Sequence, residues 1–228
     1  MILPCAGGGS RLGLPFPKEL APLGPGRVVI DSCLDLIAAM PHPSVIMLED
    51  GTRDLTAAHI RARLPGIQVA LVRQDPAARD MPDAVLRLAP LLQAVSFLLL
   101  PDALYECSAG LYGQMLAAMD ATGFCFAAAR TPDLTRLGAL QTQDSQVVAY
   151  EDKPGLPGAY DCAWGALGFY RRKGMAGLEL IRASAARERQ GPVTDLPLAG
   201  SPVIWLDGFR DCGTWPEYAA AFRDHAQG

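Results

Sequence analysis

The stretch that decides the reading is "LPCAGGGSRLGLPFPKELAPLG", residues 3–24. An apolar run from Met1 to Cys5 leads into Gly7, Gly8 and Gly9, then Ser10 and Arg11, and seven positions later Lys18. A strand that ends in a glycine loop delivers that loop to its carboxyl end, where open α/β sheets bind their ligands. Glycines let the backbone approach a phosphate closely and leave its amides free to donate. Spacing excludes two common phosphate loops. Counted from Gly7 and Gly9, the dinucleotide pattern G-x-G-x-x-G puts Leu12 where the third glycine belongs, and no lysine follows Gly13 as G-x-x-x-x-G-K-[ST] requires. What remains is a glycine loop with a fixed guanidinium inside it and a mobile ammonium after it, a pair suited to one anion. From these residues alone, a plain glycine-rich turn competes equally.

Composition narrows the choice. The 228 residues carry 20 Lys and Arg against 24 Asp and Glu, a net charge of -4, which argues against non-specific nucleic-acid binding. With 50% hydrophobic and 19% charged residues, the chain has globular composition and no apolar run of about 18 residues to span a bilayer. The six cysteines form no C-x-x-C pair and lie mostly in apolar runs, so they read as small buried hydrophobes in a reducing compartment. No basic segment and apolar leader precede the glycine loop, and a cytoplasmic location is expected.

Outward from the loop, short apolar runs alternate with amphipathic stretches. Val28–Met40, Thr52–Leu64, Ala84–Leu92 and Ser108–Met119 have helical patterning; Val45–Leu48, Ile67–Val72, Phe97–Leu100 and Phe124–Ala129 read as strands. This is the βαβα order of a doubly wound α/β sheet, and "FCFAAA" is apolar at every position, as in a strand covered on both faces. After Arg130, "LGALQTQDSQVVAYEDKP" and "WGALGFYRR" read as strands without intervening helices, followed by a helix near Gly174–Arg189 and the run "PVIWLDGFRDCGTW". One domain over 1–228 is expected, with a β-rich insertion in its second half.

Two aspartates stand at strand ends: Asp102 in "FLLLPDALY" and Asp211 in "GFRDCGTW". Mg²⁺ bound to a nucleoside triphosphate takes one or two carboxylates plus phosphate oxygens, which such a pair supplies; turn or N-cap use of each Asp is the alternative. The loop "EDKP" at 151–154 offers Lys153 to a second phosphate and a carboxylate to hydroxyls, or forms a solvated turn.

Together these blocks resemble the sugar-nucleotide pyrophosphorylases, most closely the bacterial glucose-1-phosphate uridylyltransferases. "AGGGSRL" is similar to that family's G-x-G-[ST]-R-[LM] signature, and "PKELAPL" to its P-K-E-M-L-P block. "VRQ", "DAVL", "LLPDALY", "DKP", "VTDLPL" and "DCGTWPEY" follow in the family's order. The resemblance implies a Rossmann-like, doubly wound mixed sheet of the nucleotidyltransferase type. Residues 1–130 would form the nucleotide-binding half, and 131–228 a small β-rich sugar-binding insertion and closing half.

It further implies that Gly7, Gly8, Gly9 and Ser10 cradle a triphosphate while Arg11 and Lys18 stabilise charge at the α-phosphate and the leaving pyrophosphate. Asp102 and Asp211 would hold Mg²⁺, Gln74 would read the base, Gly138 and Asp152 the sugar, and Lys153 its phosphate. The substrates would be an NTP, with UTP favoured, and a sugar 1-phosphate, with glucose 1-phosphate favoured; self-association is compatible with the family. Cytidylyl or thymidylyl transfer to another phosphorylated sugar or alcohol, and a non-catalytic binding homologue, are the alternatives. The chain departs from the family in three places: "DPAARDMPDA" replaces the glycine-rich turn after Gln74, Asp152 is one methylene shorter than the usual Glu, and the Arg11–Lys18 interval is short.

Overall fold

A computed structural model describes residues 1–7, 11–108, 110–189 and 191–226; Gly8, Gly9 and Ser10 of the loop lie outside the described residues. From the N-terminus, β1 (Ile2–Pro4) is followed by one 3-10 turn (Lys18–Leu20), β2 (Pro22–Gly24), β3 (Arg27–Val28) and α1 (Asp31–Ala38). Next come β4 (Ser44–Glu49), α2 (Asp54–Arg63), β5 (Gln68–Arg73), α3 (Met81–Leu86), β6 (Val95–Leu99) and β7 (Ala103–Glu106). The chain continues through α4 (Leu111–Thr122), β8 (Phe124–Ala129), β9 (Gly138–Gln143), β10 (Gln146–Asp152) and β11 (Cys162–Tyr170). It finishes with α5 (Arg171–Ala185), β12 (Val203–Trp205), β13 (Gly208–Asp211) and α6 (Trp215–Ala226). The expected α/β alternation is present, and no described helix is long and apolar enough to cross a membrane.

The chain forms two compact units, each assembled from separate pieces. The first comprises Met1–Gln74, Leu99–Glu106 and Gly208–Gly228. Here β1 pairs in parallel with β4, and β4 with β5, so the loop after β1, the segment after β4 and Gln74 after β5 all leave the sheet at one edge. Leu3, Met47 and Leu48 are fully buried along these strands. A ribbon of β7 and β13, antiparallel and in register from Ala103↔Asp211 to Glu106↔Gly208, belongs to the same unit. The sequence reading missed this ribbon, because its two strands are four residues each and 102 and more positions apart, with no local pattern to mark their pairing.

The second unit holds Asp75–Leu98 and Cys107–Asp207. Its sheet is mixed: β11 runs antiparallel to β8 and β9, β10 antiparallel to β9, and β12 parallel to β8. Every residue of β8 is buried, matching its unbroken apolar sequence. The run "PVIWLDGFRDCGTW" is thus divided, β12 closing this sheet and β13 the ribbon of the first unit.

Helix α5 packs on β8, β10 and β11, and Gly174 and Gly177, both buried, bring its backbone against Phe169 of β11 and Phe124 of β8. A Cβ at Gly174 would fall 2.3 Å from Phe169 Cβ, an atom fixed to the backbone. Gly174→Ala therefore sets a helix-propensity gain of about 1 kcal/mol against overpacking of about 1–3 kcal/mol with no side chain able to swing aside, and the overpacking wins. Thermal unfolding followed by circular dichroism should show a lower midpoint for this variant; an unchanged or higher midpoint would mean that α5 slides freely on β11.

Candidate active site

In the first unit, Lys18, Asp102 and Asp211 are held together by one apolar cluster. Ala21 and Leu23 follow Lys18, Leu104 follows Asp102 and Cys212 follows Asp211; all four are buried with Val29 and Ala221, and Leu14 and Tyr218 pack against them. The β7–β13 register sets Asp211 opposite Ala103, and the Cys212 amide donates to the Asp102 carbonyl at 2.9 Å. Two carboxylates distant in sequence thereby emerge from adjacent strand ends. Lys18 Nζ donates to Asp102 Oδ2, both side chains mostly buried, while the Gly213 amide donates to Asp211 Oδ1 at 3.1 Å.

The electrostatics follow from this packing. Burial works against the Lys18 ammonium, but Asp102, by charge and direct hydrogen bond, and then Asp211 and Glu19 outweigh it, so its pKa lies above the ordinary 10.5. Lys18 stays cationic across the physiological range. Its ammonium also faces the glycine loop: a Cβ built on Gly7 would lie 3.7 Å from Lys18 Nζ. Arg11 is exposed in the turn at 11–13. Among the described residues no group of three or more His, Cys, Asp or Glu could hold a metal by itself. Two hard carboxylates completed by substrate phosphate oxygens is the donor set Mg²⁺ accepts, so Asp102 and Asp211 fit that ion when a triphosphate is bound with it.

Two buried charged residues behind the loop carry no sequence signal of their role. Arg53, 8% exposed, donates from Nε to the Cys5 carbonyl at 2.7 Å, from Nη2 to the Gly7 carbonyl at 2.6 Å and from Nη1 to Thr52 Oγ1 at 2.9 Å. Glu19 is fully buried; its Oε1 accepts from Thr56 Oγ1 at 3.0 Å and lies 3.4 Å from Arg53 Nε. Burial raises the Glu19 pKa, with Arg53, Thr56 and Lys18 opposing the shift. Leu14, Pro15, Phe16, Pro17 and Lys18 face Thr52 and Arg53 across a cleft of about 210 Å³. The short Arg11–Lys18 interval is thus one wall of a cleft with cations at its margin.

In the second unit, Gly138, Asp152 and Lys153 converge at one end of the β9–β10 hairpin. Asp152 is paired with Gly138, and the Lys153 amide donates to the Leu137 carbonyl at 2.9 Å. Lys153 adopts a left-handed backbone (φ 51°), uncommon without glycine, and its ammonium lies 3.0 Å from Asp152 Oδ2. Gly138 has no space for a side chain, since a Cβ there would fall 2.0 Å from Trp164 Nε1.

Gln74, in the first unit, is half-buried, its backbone N–H donating to the Glu49 backbone carbonyl at 2.7 Å. The turn after it is closed by its own side chains. Asp75 Oδ1 accepts from the Ala77 amide at 2.8 Å, Asp80 caps α3 by accepting from the Asp83 amide at 2.8 Å, and Asp83 Oδ2 accepts from the Arg79 amide at 3.0 Å. Pro82, in the first turn of that helix, has no amide to satisfy.

No protein-family model matches the chain, and no curated protein sequence does. Solved structures match over nearly its whole length. A protein provisionally described as a glucose-1-phosphate thymidylyltransferase from Bacillus anthracis, crystallised with sucrose, aligns with a TM-score of 0.76 at 18% identity, covering 98% of this chain and 94% of that one. The UDP-glucose pyrophosphorylase of Acinetobacter baumannii aligns with a TM-score of 0.70 at 20% identity, covering 98% and 92%. A UDP-glucose pyrophosphorylase complexed with UDP-glucose gives 0.73 at 15% identity, covering 98% and 97%. The chain has the mixed α/β fold of these nucleotidyltransferases.

Replacing Asp102 by Asn removes the chief group holding the Lys18 pKa up and leaves the burial that pushes it down. The pH dependence of Lys18 acylation, followed by mass spectrometry, should move to lower pH in Asp102→Asn. An unmoved profile would mean that Asp211 and Glu19 alone set the charge. Because the pKa is raised on folding, the stability gained from the pair is complete below pH 10.5 and is lost as pH rises through the higher, folded-state value.

Proposed function

We propose that this protein is a nucleotidyltransferase that joins an NTP to a sugar 1-phosphate, forming an NDP-sugar and releasing pyrophosphate. The observation that carries the reading is the grouping of Gly7, Lys18, Asp102 and Asp211 in the first unit, far apart in sequence and held by one apolar cluster. A glycine-rich backbone, a permanent cation and two carboxylates form the kit that a metal-bound triphosphate needs. The fold shared with sugar-nucleotide enzymes supports the same reaction class.

In the proposed reaction an oxygen of the sugar 1-phosphate attacks the α-phosphorus in line. The new P–O bond forms as the bond from the α-phosphorus to the bridging oxygen breaks, and its electron pair leaves with pyrophosphate. The nucleophile is already anionic at neutral pH, so no protein base is required, and catalysis is positioning plus charge stabilisation. Gly7 with Gly8, Gly9 and Ser10 would cradle the triphosphate, Arg11 and Lys18 would meet the charge growing on the leaving group, and Asp102 and Asp211 would hold Mg²⁺. That ion supplies charge neutralisation and orientation of the phosphates when bound. Lys18 Nζ carries three donor hydrogens, so it can hold Asp102 and still turn a hydrogen to a phosphate. Gln74 would read the base. Gly138 and Asp152 would face the sugar and Lys153 its phosphate, in keeping with their convergence on one hairpin end.

UTP and glucose 1-phosphate are the favoured pair from the sequence blocks. The self-capped turn at 75–83 favours the second reading, transfer from another NTP, because Asp80 presents a carboxylate acceptor where a glycine-rich turn presents amide donors. Pyrophosphate release measured with four NTPs against a panel of sugar 1-phosphates and Mg²⁺ should single out one pair; no release from any combination would overturn the enzyme reading.

Lys153→Ala should weaken sugar-phosphate binding by about tenfold, the value of one charge-assisted hydrogen bond, while NTP affinity stays near wild type. Calorimetric titration of each substrate decides this, and an equal loss of both would remove Lys153 from the acceptor site.

A further inference from the structure

We infer that Arg53 is the positioning residue of the phosphate loop: it binds no phosphate itself but sets which way the backbone of residues 5–7 faces. The inference rests on the proposed role of that loop and extends it to a residue outside it. Arg53 lies just before α2, and the Ala57 amide donates to its carbonyl at 2.9 Å, so its own backbone is anchored in the first turn of a helix. From there the side chain reaches back across the parallel sheet edge and grips two carbonyls, those of Cys5 and Gly7, from one guanidinium plane.

The consequence is directional. With both carbonyls turned towards Arg53, the Cβ direction of Gly7 points towards Lys18 Nζ, which would lie 3.7 Å from such an atom. Holding these alternate carbonyls on one side fixes the peptide planes that lead into the glycine loop. Most of the Arg53 donors are already committed within the protein. Nε is used by Cys5 and approached by Glu19, Nη1 by Thr52, and Nη2 by Gly7 and by Asp50 Oδ2 at 3.2 Å. Two carboxylates offset its charge, and burial excludes water from the contacts with the carbonyls.

The arrangement needs a planar fork. A lysine brings three donors radiating from a single atom and cannot span Cys5 O, Gly7 O and Glu19 together, although it preserves the charge. Arg53→Lys therefore separates positioning from electrostatics. Binding of inorganic tripolyphosphate with Mg²⁺, measured by calorimetry, should weaken by about tenfold or more in Arg53→Lys, the cost of losing charge-assisted hydrogen bonds that orient the loop, while glucose 1-phosphate binding is unchanged. In Arg53→Gly, added guanidinium below denaturing concentration should restore tripolyphosphate affinity and methylammonium should not.

Hydrogen exchange gives a readout independent of any ligand. The peptide spanning residues 2–12 should exchange faster in Arg53→Lys than in the wild type, with peptides from the second unit unaltered. Wild-type tripolyphosphate affinity in Arg53→Lys, or an unaltered 2–12 peptide, would overturn the inference. If the wild-type chain itself binds neither tripolyphosphate nor any NTP, the phosphate role of the loop falls and with it the ligand part of this inference. The exchange comparison then still decides whether Arg53 orders the backbone. A guanidinium-specific rescue distinguishes positioning from a folding defect, since a misfolded chain is not restored by a small cation.

Discussion

A partly buried ammonium needs compensating charge, and at Lys18 that need organises the first unit. Taking the group out of water disfavours its cationic form, and two aspartates and a glutamate reverse the penalty. The carboxylates can only be delivered by chain segments far from residue 18, so the β7–β13 ribbon, its apolar anchor and α6 behind it all serve to place charge around one side chain. Remove the anchor and the lysine faces an uncompensated burial.

Arg53 poses the same problem with a different solution. Its guanidinium is spread over backbone carbonyls and two carboxylates, so the cost of burial becomes control of backbone direction next to Lys18. Lys18 and Arg53 thus place two cations beside Gly7 in different ways. One is paired with the Asp102 carboxylate, and the other is locked behind the backbone. Both border the same cleft, Lys18 at the end of the proline-rich segment that forms one wall and Arg53 across from it.

The turn after Gln74 shows how side chains alone can close the segment that follows a strand. Three aspartates at 75, 80 and 83 satisfy the turn's own amides and start α3, doing with side chains what glycines do by leaving the backbone open.

What the sequence by itself determined is periodic or local. The α/β alternation, the fully apolar β8, the strand-end positions of Asp102 and Asp211 and the glycine loop with its lysine were all legible, because burial and turn chemistry leave marks at short spacing. The sequence could also nominate Gly138, Asp152 and Lys153, whose convergence then follows from a single hairpin register. The tertiary structure alone decided the pairing of β7 with β13, the division of "PVIWLDGFRDCGTW" between two units, and the burial of Arg53 and Glu19 behind the loop. The physical reason is that a charged residue reads as solvated in any local pattern. Only the fold shows that partners 34 and 48 positions away, Glu19 and Cys5, make its burial tolerable.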